Sequence, residues 1–523
     1  MAKVQLYDTT LRDGSQTEGI SYSVSDKIKI ARKLDQLGLH YIEGGYPGSN
    51  PKDKMLFQEL KKHPLKNARL VAFGSTRKAG VPAAKDSGLN SLVESGVQTA
   101  TIFGKTWDLH VKDILRVSLD ENLEMIKDSV EYLICEGLEV IYDAEHFFDA
   151  YKANPDYAIK TIKTAAESGA KLVCLCDTNG GTLTSEIATI VRKVKDELGA
   201  PLGIHTHNDL GLAVANSIVA VEAGCVQVQG TMNGLGERCG NADLVAIIGI
   251  LKFKLHREAL SDESFKDLTE ASYFVSEISN LKHMDNQPFV GKSAFAHKGG
   301  VHINAVLKNP KSYEHIDPSA VGNVRRILVS ELAGKTPILL KAKDLNLDLE
   351  KESPESKKVL KLLQKLEHEG YAFEAADASF EVLVKKALKQ HKKFFELEGF
   401  RVIVEKGKQG KISSEATIKL AVGKVKEHTT SEGDGPVNAL DNALRKALKG
   451  FYPGVLKMHL SDFKVRVLDA KEGTAAKVRV LIQSQDEHDS WTTVGVSENI
   501  IEASWQALVD SIEYKLMKDA SKK

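Results

Sequence analysis

The strongest constraint on the fold is a regular alternation of strand-like and helix-like segments between residue 3 and about residue 235. Short runs rich in β-branched residues alternate with stretches whose apolar residues recur at helical spacing. The strand-like runs are Val4–Tyr7, Tyr41–Gly44, Leu70–Phe73, Thr99–Phe103, Glu139–Asp143, Leu172–Cys176, Leu202–His205 and Val226–Gly230. The helical patterns include Ser25–Leu37, Leu119–Ile134, Pro155–Ser168, Ser185–Leu198 and Leu212–Ala223. Eight βα units predict an α/β fold of the TIM (β/α)8 barrel type rather than an open sheet.

The last 130 or so residues contain an internal repeat. Phe400–Val404 matches Phe463–Val467, and Thr429–Thr430 matches Thr492–Thr493, both at an offset of 63 residues. Each copy has alternating strand-like patterns, a turn and a helical pattern. The sequence therefore predicts two βββα repeats that form a separate α+β module for an effector or for dimerisation.

A connector is expected between the barrel and the repeats. It is punctuated by prolines and contains a highly charged helical stretch, Glu350–Leu366, whose charges we interpret as a solvated helix face. The expected organisation is a catalytic barrel at 1–285, helical connector subdomains at 286–390 and a C-terminal regulatory domain at 391–523.

The charge balance limits the classes of partner. The 523 residues include 71 Lys+Arg and 71 Asp+Glu, and the pI is about 7.3. Nucleic acid and anionic membranes favour a strongly basic face, so neither is expected as a partner, and small molecules are. The chain starts without the apolar stretch of a signal peptide and has no apolar run long enough to span a bilayer, which predicts a cytoplasmic protein. Five scattered cysteines predict buried, reduced thiols.

Residues with metal-binding chemistry gather where the predicted strands end. The ends of TIM-barrel strands meet at one rim, and Asp13, His205, His207 and Asn241 occupy such positions. Alternation along a strand points both histidines of a His-x-His pair to the same face. A carboxylate, two imidazoles and an amide oxygen suit a divalent ion such as Mn²⁺, Mg²⁺ or Zn²⁺. A His-x-His pair alone is often an ordinary pair of rim histidines, but Asp13 and Asn241 on the same rim favour the metal site.

Other polar residues of the rim can bind a substrate. Arg12 adjoins Asp13 and can pair with Glu43 at the end of the second strand. A guanidinium fixed by a buried carboxylate suits a carbonyl or enolate oxygen, although a structural salt bridge is the alternative. Glu145 and Thr178 follow the fifth and sixth strands and can reach the same cavity.

Two motifs are interpreted as structural. The glycines of Gly234–Asn241 have GxGxxxG spacing after the eighth strand, which is not the dinucleotide-binding spacing. They let the backbone turn closely beside a metal site. Cys174 and Cys176 lie inside the sixth strand, where core packing explains them better than redox or metal chemistry.

These motifs resemble a known enzyme family. The stretches Asp8–Gln16, His205–Asp209 and Asn233–Asn241, together with Glu43, are similar to those of the DRE-TIM metallolyases. The chain is most similar to the synthases of the 2-isopropylmalate, homocitrate and citramalate group, and the resemblance covers essentially its full length. It implies a divalent metal, acetyl-CoA as co-substrate and condensation with an α-keto acid.

Three further stretches are similar to the citramalate-forming members of that group. They are Gly44–Asp53, Phe103–His110 and Glu145–Asp149. This similarity implies pyruvate as the keto acid.

The resemblance also implies residue roles. Pyruvate would chelate the metal with help from Arg12 and Thr178, and a base would then remove a proton from the methyl group of acetyl-CoA. The catalytic His and Tyr of the family correspond to His302 and Tyr313 in the connector, and the base is left open between His302 and Glu145. Hydrolysis of the thioester would release CoA.

The sequence departs from the isopropylmalate-type pattern. Ser15 stands where that pattern has Glu, and Val301–Asn304 replaces the common His-Gln-Asp around the connector histidine. Tyr142 is expected to form a wall of the keto-acid pocket that favours a methyl group, with core packing as the alternative.

The sequence leaves several alternative functions. Formation of isopropylmalate or homocitrate differs mainly in pocket volume. A hydroxymethylglutaryl-thioester lyase is disfavoured because Gly236–Gly240 lacks the longer Cys-Pro loop of those lyases, which also lack the repeat domain. A non-catalytic amino-acid sensor is disfavoured by the intact set of rim residues. We further expect the protein to be a homodimer and to act in isoleucine biosynthesis. Isoleucine is expected to inhibit it through the C-terminal repeats.

Overall fold

The computed structural model describes residues 3–328, 354–373, 376–407, 410, 412–468 and 476–521. The chain forms two compact units. The first consists of Met1–Phe295 and His315–Arg325, and the second of Ala296–Glu314 and Arg326–Lys523. The segment expected as a connector is therefore divided between the two units. The part of the expected charged helix that precedes Pro354 lies outside the described residues.

Eight parallel strands form a closed barrel in chain order, in which the eighth pairs with the first. The strands are β1 (Gln5–Asp8), β2 (Tyr41–Gly45), β3 (Arg69–Ser75), β4 (Thr99–Lys105), β5 (Glu139–Glu145), β6 (Leu172–Asp177), β7 (Leu202–Thr206) and β8 (Gln227–Gly230). The predicted TIM barrel is confirmed, and the ends of the strands lie within two residues of the prediction.

Helices follow the strands of the barrel. They are α1 (Val24–Leu37), α2 (Pro51–Lys62), α3 (Ser87–Glu94), α4 (Leu119–Cys135), α5 (Phe147–Ala153), α6 (Pro155–Glu167), α7 (Thr184–Leu198), α8 (Ala213–Ala223), α9 (Leu244–Phe253), α10 (Asp262–Phe265) and α11 (Leu268–Ile278). Local sequence sets their ends. Ser23 and Asp26 form a capping box at the start of α1, which ends at Gly38 in the left-handed conformation (φ 89°).

The two faces of the strands carry different layers of the core. The barrel interior contains a cluster of Tyr7, Tyr41, Val71, Ile141, Leu172, Cys174 and Cys176. The outer faces pack against the helices, and Val140 and Tyr142 belong to that outer layer. Since side chains alternate along a strand, Ile141, Asp143 and Glu145 share the inner face of β5.

The second unit begins with short elements. A two-stranded parallel sheet pairs β9 (Ala296–His297) with β10 (Arg326–Ile327). The described residues of this region form the helices α12 (Gly300–Lys308), α13 (Pro354–His368) and α14 (Asp377–Ala387). The expected connector of small helical pieces therefore also contains a small sheet.

The C-terminal repeat is confirmed as two βββα units. The first contains β11 (Glu396–Lys406), β12 (Ile412–Val422), β13 (Val425–Gly433) and α15 (Pro436–Leu448). The second contains β14 (His459–Val467), β15 (Val478–Gln485), β16 (Ser490–Ser497) and α16 (Ile500–Ser521). Each sheet is antiparallel with its strands in chain order, and both helices contribute to one apolar cluster.

The cysteines are free thiols, as expected, but not all are buried. Cys174, Cys176 and Cys225 are buried, whereas Cys135 and Cys239 are exposed. The expectation of burial is wrong for these two, because they lie at the end of a helix and in a surface loop. Among the described helices, none is both long and apolar enough to cross a bilayer.

Candidate active site

The first unit contains a cavity of about 490 Å³ at the C-terminal ends of the barrel strands. All eight strands, or the loops that follow them, contribute residues to its walls. The lining residues include Arg12, Asp13, Phe73, Phe103, Asp143, Glu145, Cys176, Thr178, His205, His207 and Arg238.

Asp13, His205 and His207 lie together at the bottom of this cavity. All three are buried, and one ligand atom from each lies within 4.8 Å of the others. His205 Nε2 lies 3.6 Å from Asp13 Oδ2 and 3.0 Å from His207 Nε2. A β-bridge joins the backbone of His207 to that of Asn241. The structure thus brings together the four residues that the sequence singled out as metal ligands.

The chemistry of this set fits a divalent cation. Asp13 Oδ2 and Asn241 Oδ1 are buried acceptors with no hydrogen-bond partner among the described residues. Such oxygens are costly unless a cation or a donor meets them. Burial lowers the pKa of His205, and its Nδ1 lies 3.1 Å from Gln229 Oε1. The hydrogen on Nδ1 leaves the lone pair of Nε2 free for a metal.

Arg238 contacts the other histidine and is a residue that the sequence analysis missed. Its Nη2 lies 2.8 Å from His207 Nδ1, and the same guanidinium binds Asp209 through both carboxylate oxygens, at 2.8 and 3.0 Å. Arg can only donate, so Nδ1 of the neutral His207 accepts and its hydrogen lies on Nε2. A metal on Nε2 would require the hydrogen on Nδ1. Arg238 and a metal therefore compete for His207.

The expected pair of Arg12 and Glu43 is present. Arg12 Nε donates to Glu43 Oε1 at 2.5 Å, and the guanidinium also pairs with Asp13. It lies over the ring of Phe73, with Cζ 3.8 Å from the centroid. Burial alone would lower the pKa of Arg12, but Asp13 and Glu43 raise it overall, so it remains a cation. Tyr7 donates to the other oxygen of the fully buried Glu43 at 2.5 Å and fixes it.

Glu145 and Thr178 both line the cavity, as expected. The Glu145 carboxylate pairs with Lys105, and Thr178 Oγ1 accepts a hydrogen bond from the backbone N–H of His146 at 2.9 Å. Asp143, which the sequence analysis did not select, also lines the cavity. Burial and then the charge of Glu43 raise the pKa of Asp143 to about 8. Its position two residues before Glu145 on one strand face was the signal that could have identified it.

Three expected site residues lie elsewhere. Tyr142 is fully buried in the layer between the strands and the helices and is not a lining residue, because its position on β5 points it away from the interior. This corrects the expectation that it forms a wall of the pocket. His302 and Tyr313 belong to the second unit, where their ring centroids are 4.4 Å apart. The cavity of the first unit therefore does not contain them.

Comparison with known families identifies the family to which the chain belongs. The HMGL-like family model matches residues 3–275, more than half of the chain, and the chain belongs to this family. Two further models match the rest: a homocitrate synthase post-HMGL domain-like model at 289–370 and the LeuA allosteric (dimerisation) domain at 374–516.

Full-length relatives narrow the family. An (R)-citramalate synthase of Geobacter sulfurreducens is 56% identical over 99% of this chain and 98% of its own length, and one of Aquifex aeolicus is 54% identical over the same shares. A 2-isopropylmalate synthase of Methanocaldococcus jannaschii is 32% identical over 99% of this chain and 95% of its own length. Among solved structures, an HMG-CoA lyase of Bacillus subtilis matches 54% of this chain and 96% of its own with a TM-score of 0.47 and 21% identity. Within the HMGL-like family, the chain belongs to the (R)-citramalate synthases.

Proposed function

We propose that the protein condenses acetyl-CoA with pyruvate and water to give (R)-citramalate and CoA. The observation that carries the proposal is the buried set of Asp13, His205 and His207 beside the fixed cation Arg12, in one cavity at the end of the barrel. The names of the full-length relatives support the same reaction.

Different residues of the cavity bind the keto acid and activate its carbonyl group. A divalent cation on Asp13, His205, His207 and Asn241 would polarise the keto carbonyl as a Lewis acid, and Mn²⁺, Mg²⁺ and Zn²⁺ are the candidates. Arg12, held rigid by the carboxylate of Glu43, neutralises negative charge that develops on the keto oxygen. The half-buried hydroxyl of Thr178 donates to the carboxylate of the keto acid.

The methyl group of pyruvate would rest on the aromatic side of the cavity. Phe73 and Phe103 stack with their centroids 5.5 Å apart, and both line the cavity. Two such rings leave space for a methyl group more readily than for an isopropyl group. They replace Tyr142 as the residues proposed to select the keto acid.

Keto-acid selectivity tests the proposal. CoA release from acetyl-CoA is measured with pyruvate, 2-oxoisovalerate and 2-oxoglutarate under identical conditions, with Mn²⁺ added. We expect kcat/KM to be highest for pyruvate. Higher values for 2-oxoisovalerate or 2-oxoglutarate would instead indicate isopropylmalate or homocitrate formation, and no CoA release with any of them would indicate a non-catalytic sensor.

Two groups are candidates for the base that deprotonates acetyl-CoA. Glu145 is a carboxylate in the cavity, while His302 contacts the ring of Tyr313 in the second unit. Exchange of the acetyl-CoA methyl protons with solvent deuterium separates them. If Glu145 is the base, Glu145→Gln should lose the exchange and His302→Ala should keep it. If His302 is the base, the two results should be reversed.

A second copy of the chain is the proposed partner of the C-terminal repeats. The edge strands β11 and β14 carry apolar side chains on the inward faces of their sheets, and Val404, Phe463, Val465 and Val467 are 36–56% exposed there. The match to a dimerisation domain supports a homodimer in which these edges are covered.

Isoleucine is the proposed effector of the same domain. A cavity of about 290 Å³ in the second unit is lined by Phe373, Trp505 and Val509, with Lys386 and Asp510 at its polar side. The apolar walls suit a branched side chain, and the two charges suit the carboxylate and ammonium groups of an amino acid. Val509→Trp, which fills the cavity, should abolish inhibition by isoleucine without changing the uninhibited rate.

We also propose that the protein works in the cytoplasm. The free thiols, two of them exposed, suit a reducing compartment. In this scheme the barrel is catalytic, the segment 286–390 supplies His302 and Tyr313, and the repeats regulate.

A further inference from the structure

His146 has an unusual backbone conformation at the rim of the cavity. It lies between β5 and α5 with φ 57° and ψ 29°, the left-handed region that non-glycine residues rarely adopt. In this conformation its backbone N–H donates to Thr178 Oγ1 at 2.9 Å. Such strain persists where the surrounding contacts enforce it, and it is frequent at functional sites.

The hydrogen bond from His146 determines what Thr178 can do. A threonine hydroxyl has one hydrogen to donate and two lone pairs that accept. Because one lone pair of Thr178 Oγ1 faces the N–H of His146, the hydroxyl hydrogen points to another direction and remains available. Thr178 lines the cavity, so this geometry prepares its hydroxyl as a donor to an anionic ligand there.

Side chains from three segments hold His146 in place. Its Nδ1 lies 3.3 Å from Asp149 Oδ2, and the same oxygen accepts from Asn179 Nδ2 at 2.9 Å. Asn179 directly follows Thr178, so these contacts close a ring between the ends of β5 and β6. The ring of His110 also packs edge-on against the imidazole of His146, with centroids 4.5 Å apart.

We propose that His146 is a positioning residue, which fixes the hydroxyl of Thr178 as the donor to the carboxylate of the keto acid. The inference rests on the proposed function, because it takes an anionic keto acid as the ligand of the cavity. His146 acts through Thr178 and through the ring with Asp149 and Asn179.

A double-mutant cycle tests the proposal. His146→Ala removes the tie to Asp149 and the preference for the left-handed conformation, and Thr178→Val removes the hydroxyl. Each should raise KM for pyruvate about tenfold, the loss expected for one hydrogen bond to a charged group, and should leave KM for acetyl-CoA unchanged. The double variant should be no worse than the poorer single variant. Effects that multiply in the double variant would overturn the inference.

Matched variants separate positioning from general destabilisation. His256 also has a positive φ, 50°, but is exposed and does not line the cavity, so His256→Ala should leave both KM values unchanged. His146→Asn keeps a residue that tolerates the left-handed region and should restore most of the affinity for pyruvate. If His146→Ala does not fold, Asp149→Ala breaks the same ring and takes its place in the cycle.

Failure of the inference is distinguishable from failure of the proposed function. A wild-type protein that releases no CoA with pyruvate refutes the proposed function. A wild-type protein that turns over pyruvate, combined with multiplicative effects in the cycle, refutes only the role of His146.

Discussion

Arg238 makes a contact at the residue scale that a bound cation would break. Its guanidinium holds the Nδ1 lone pair of His207. Removing the guanidinium frees the histidine to take the hydrogen on Nδ1 and to ligate through Nε2. We therefore expect Arg238→Met to bind Mn²⁺ about tenfold more tightly in calorimetric titrations, since a charge-assisted hydrogen bond no longer has to be broken.

The control for this prediction is a second arginine of the barrel. Arg69 is half-exposed, pairs with Glu139 and begins β3, at the opposite end of the strand from the cavity. Arg69→Met should leave the Mn²⁺ affinity at the wild-type value. Unchanged or weaker binding by Arg238→Met would show that Arg238 does not compete with the metal.

Asp510 allows a prediction about pH. Burial raises the pKa of Asp510 to about 6, despite Lys386 and a 2.8 Å hydrogen bond from Ser379. The folded state therefore binds this proton more tightly than the unfolded chain, and the contribution of Asp510 to the stability of the second unit falls as pH rises from about 4 to 6. Asp510→Asn mimics the neutral acid. It should increase the free energy of unfolding at pH 7 by at most about 3 kcal/mol, and so raise the melting temperature there. At pH 4 it should have little effect.

The pH profile of the difference is the decisive measurement. The exposed Asp434→Asn serves as the matched control, because its carboxylate remains in water. A gain for Asp510→Asn that is equally large at pH 4 and pH 7 would contradict the assigned cause.

Site residues could be predicted from the sequence where they lie at, or directly after, the end of a predicted strand. Asp13, His205 and His207 meet because they follow, or lie at, the ends of parallel strands that close into a barrel. Tyr142 was misassigned because residues at a strand end alternate between two faces, and the face was not fixed by the sequence pattern. Arg238 reaches His207 from a loop in which its own φ is 55°, a conformation that no periodicity reveals.

At the element scale, strands of the barrel were predictable because each is a short apolar run bounded by helical patterns. The edge strands of the repeats carry a different signal. Val465 pairs with Val480, which is fully buried, yet Val465 itself is 40% exposed. The apolar pattern of β14 therefore continues past what its own sheet and helix cover.

This exposure predicts the effect of a charge on β14. Val465→Glu places a carboxylate in the proposed contact between two copies, where its desolvation is unfavourable. We expect sedimentation to show monomers at concentrations at which the wild type is dimeric. Arg466→Glu changes a residue on the opposite face of the same strand and should leave the dimer intact. Dissociation by both variants, or by neither, would contradict the proposed interface.

At the scale of the whole molecule, the number of compact units was harder to predict than the fold of each. The barrel is recognisable in the sequence from its regular alternation of strand-like and helical segments, and the duplicated domain from its repeat of 63 residues. The segment between them has no such period, and its residues are divided between two compact units instead of forming a third. Long-range packing, rather than local pattern, decides that division.

The two units have separate apolar clusters, which predicts how the protein unfolds. Two clusters belong to the barrel and its helices, and two others lie among α13 to α16 and the two antiparallel sheets. We expect calorimetry to resolve two transitions. Mn²⁺ at about 100 times its Kd should stabilise the first unit by about 2.7 kcal/mol, a rise of about 4 °C, because it binds only the folded barrel. Isoleucine should raise the melting temperature of the other transition only. Asp13→Ala should abolish the shift caused by Mn²⁺ and leave the shift caused by isoleucine unchanged. A single transition that both ligands move together would mean that the units unfold as one cooperative body, since binding to either would then stabilise the whole chain.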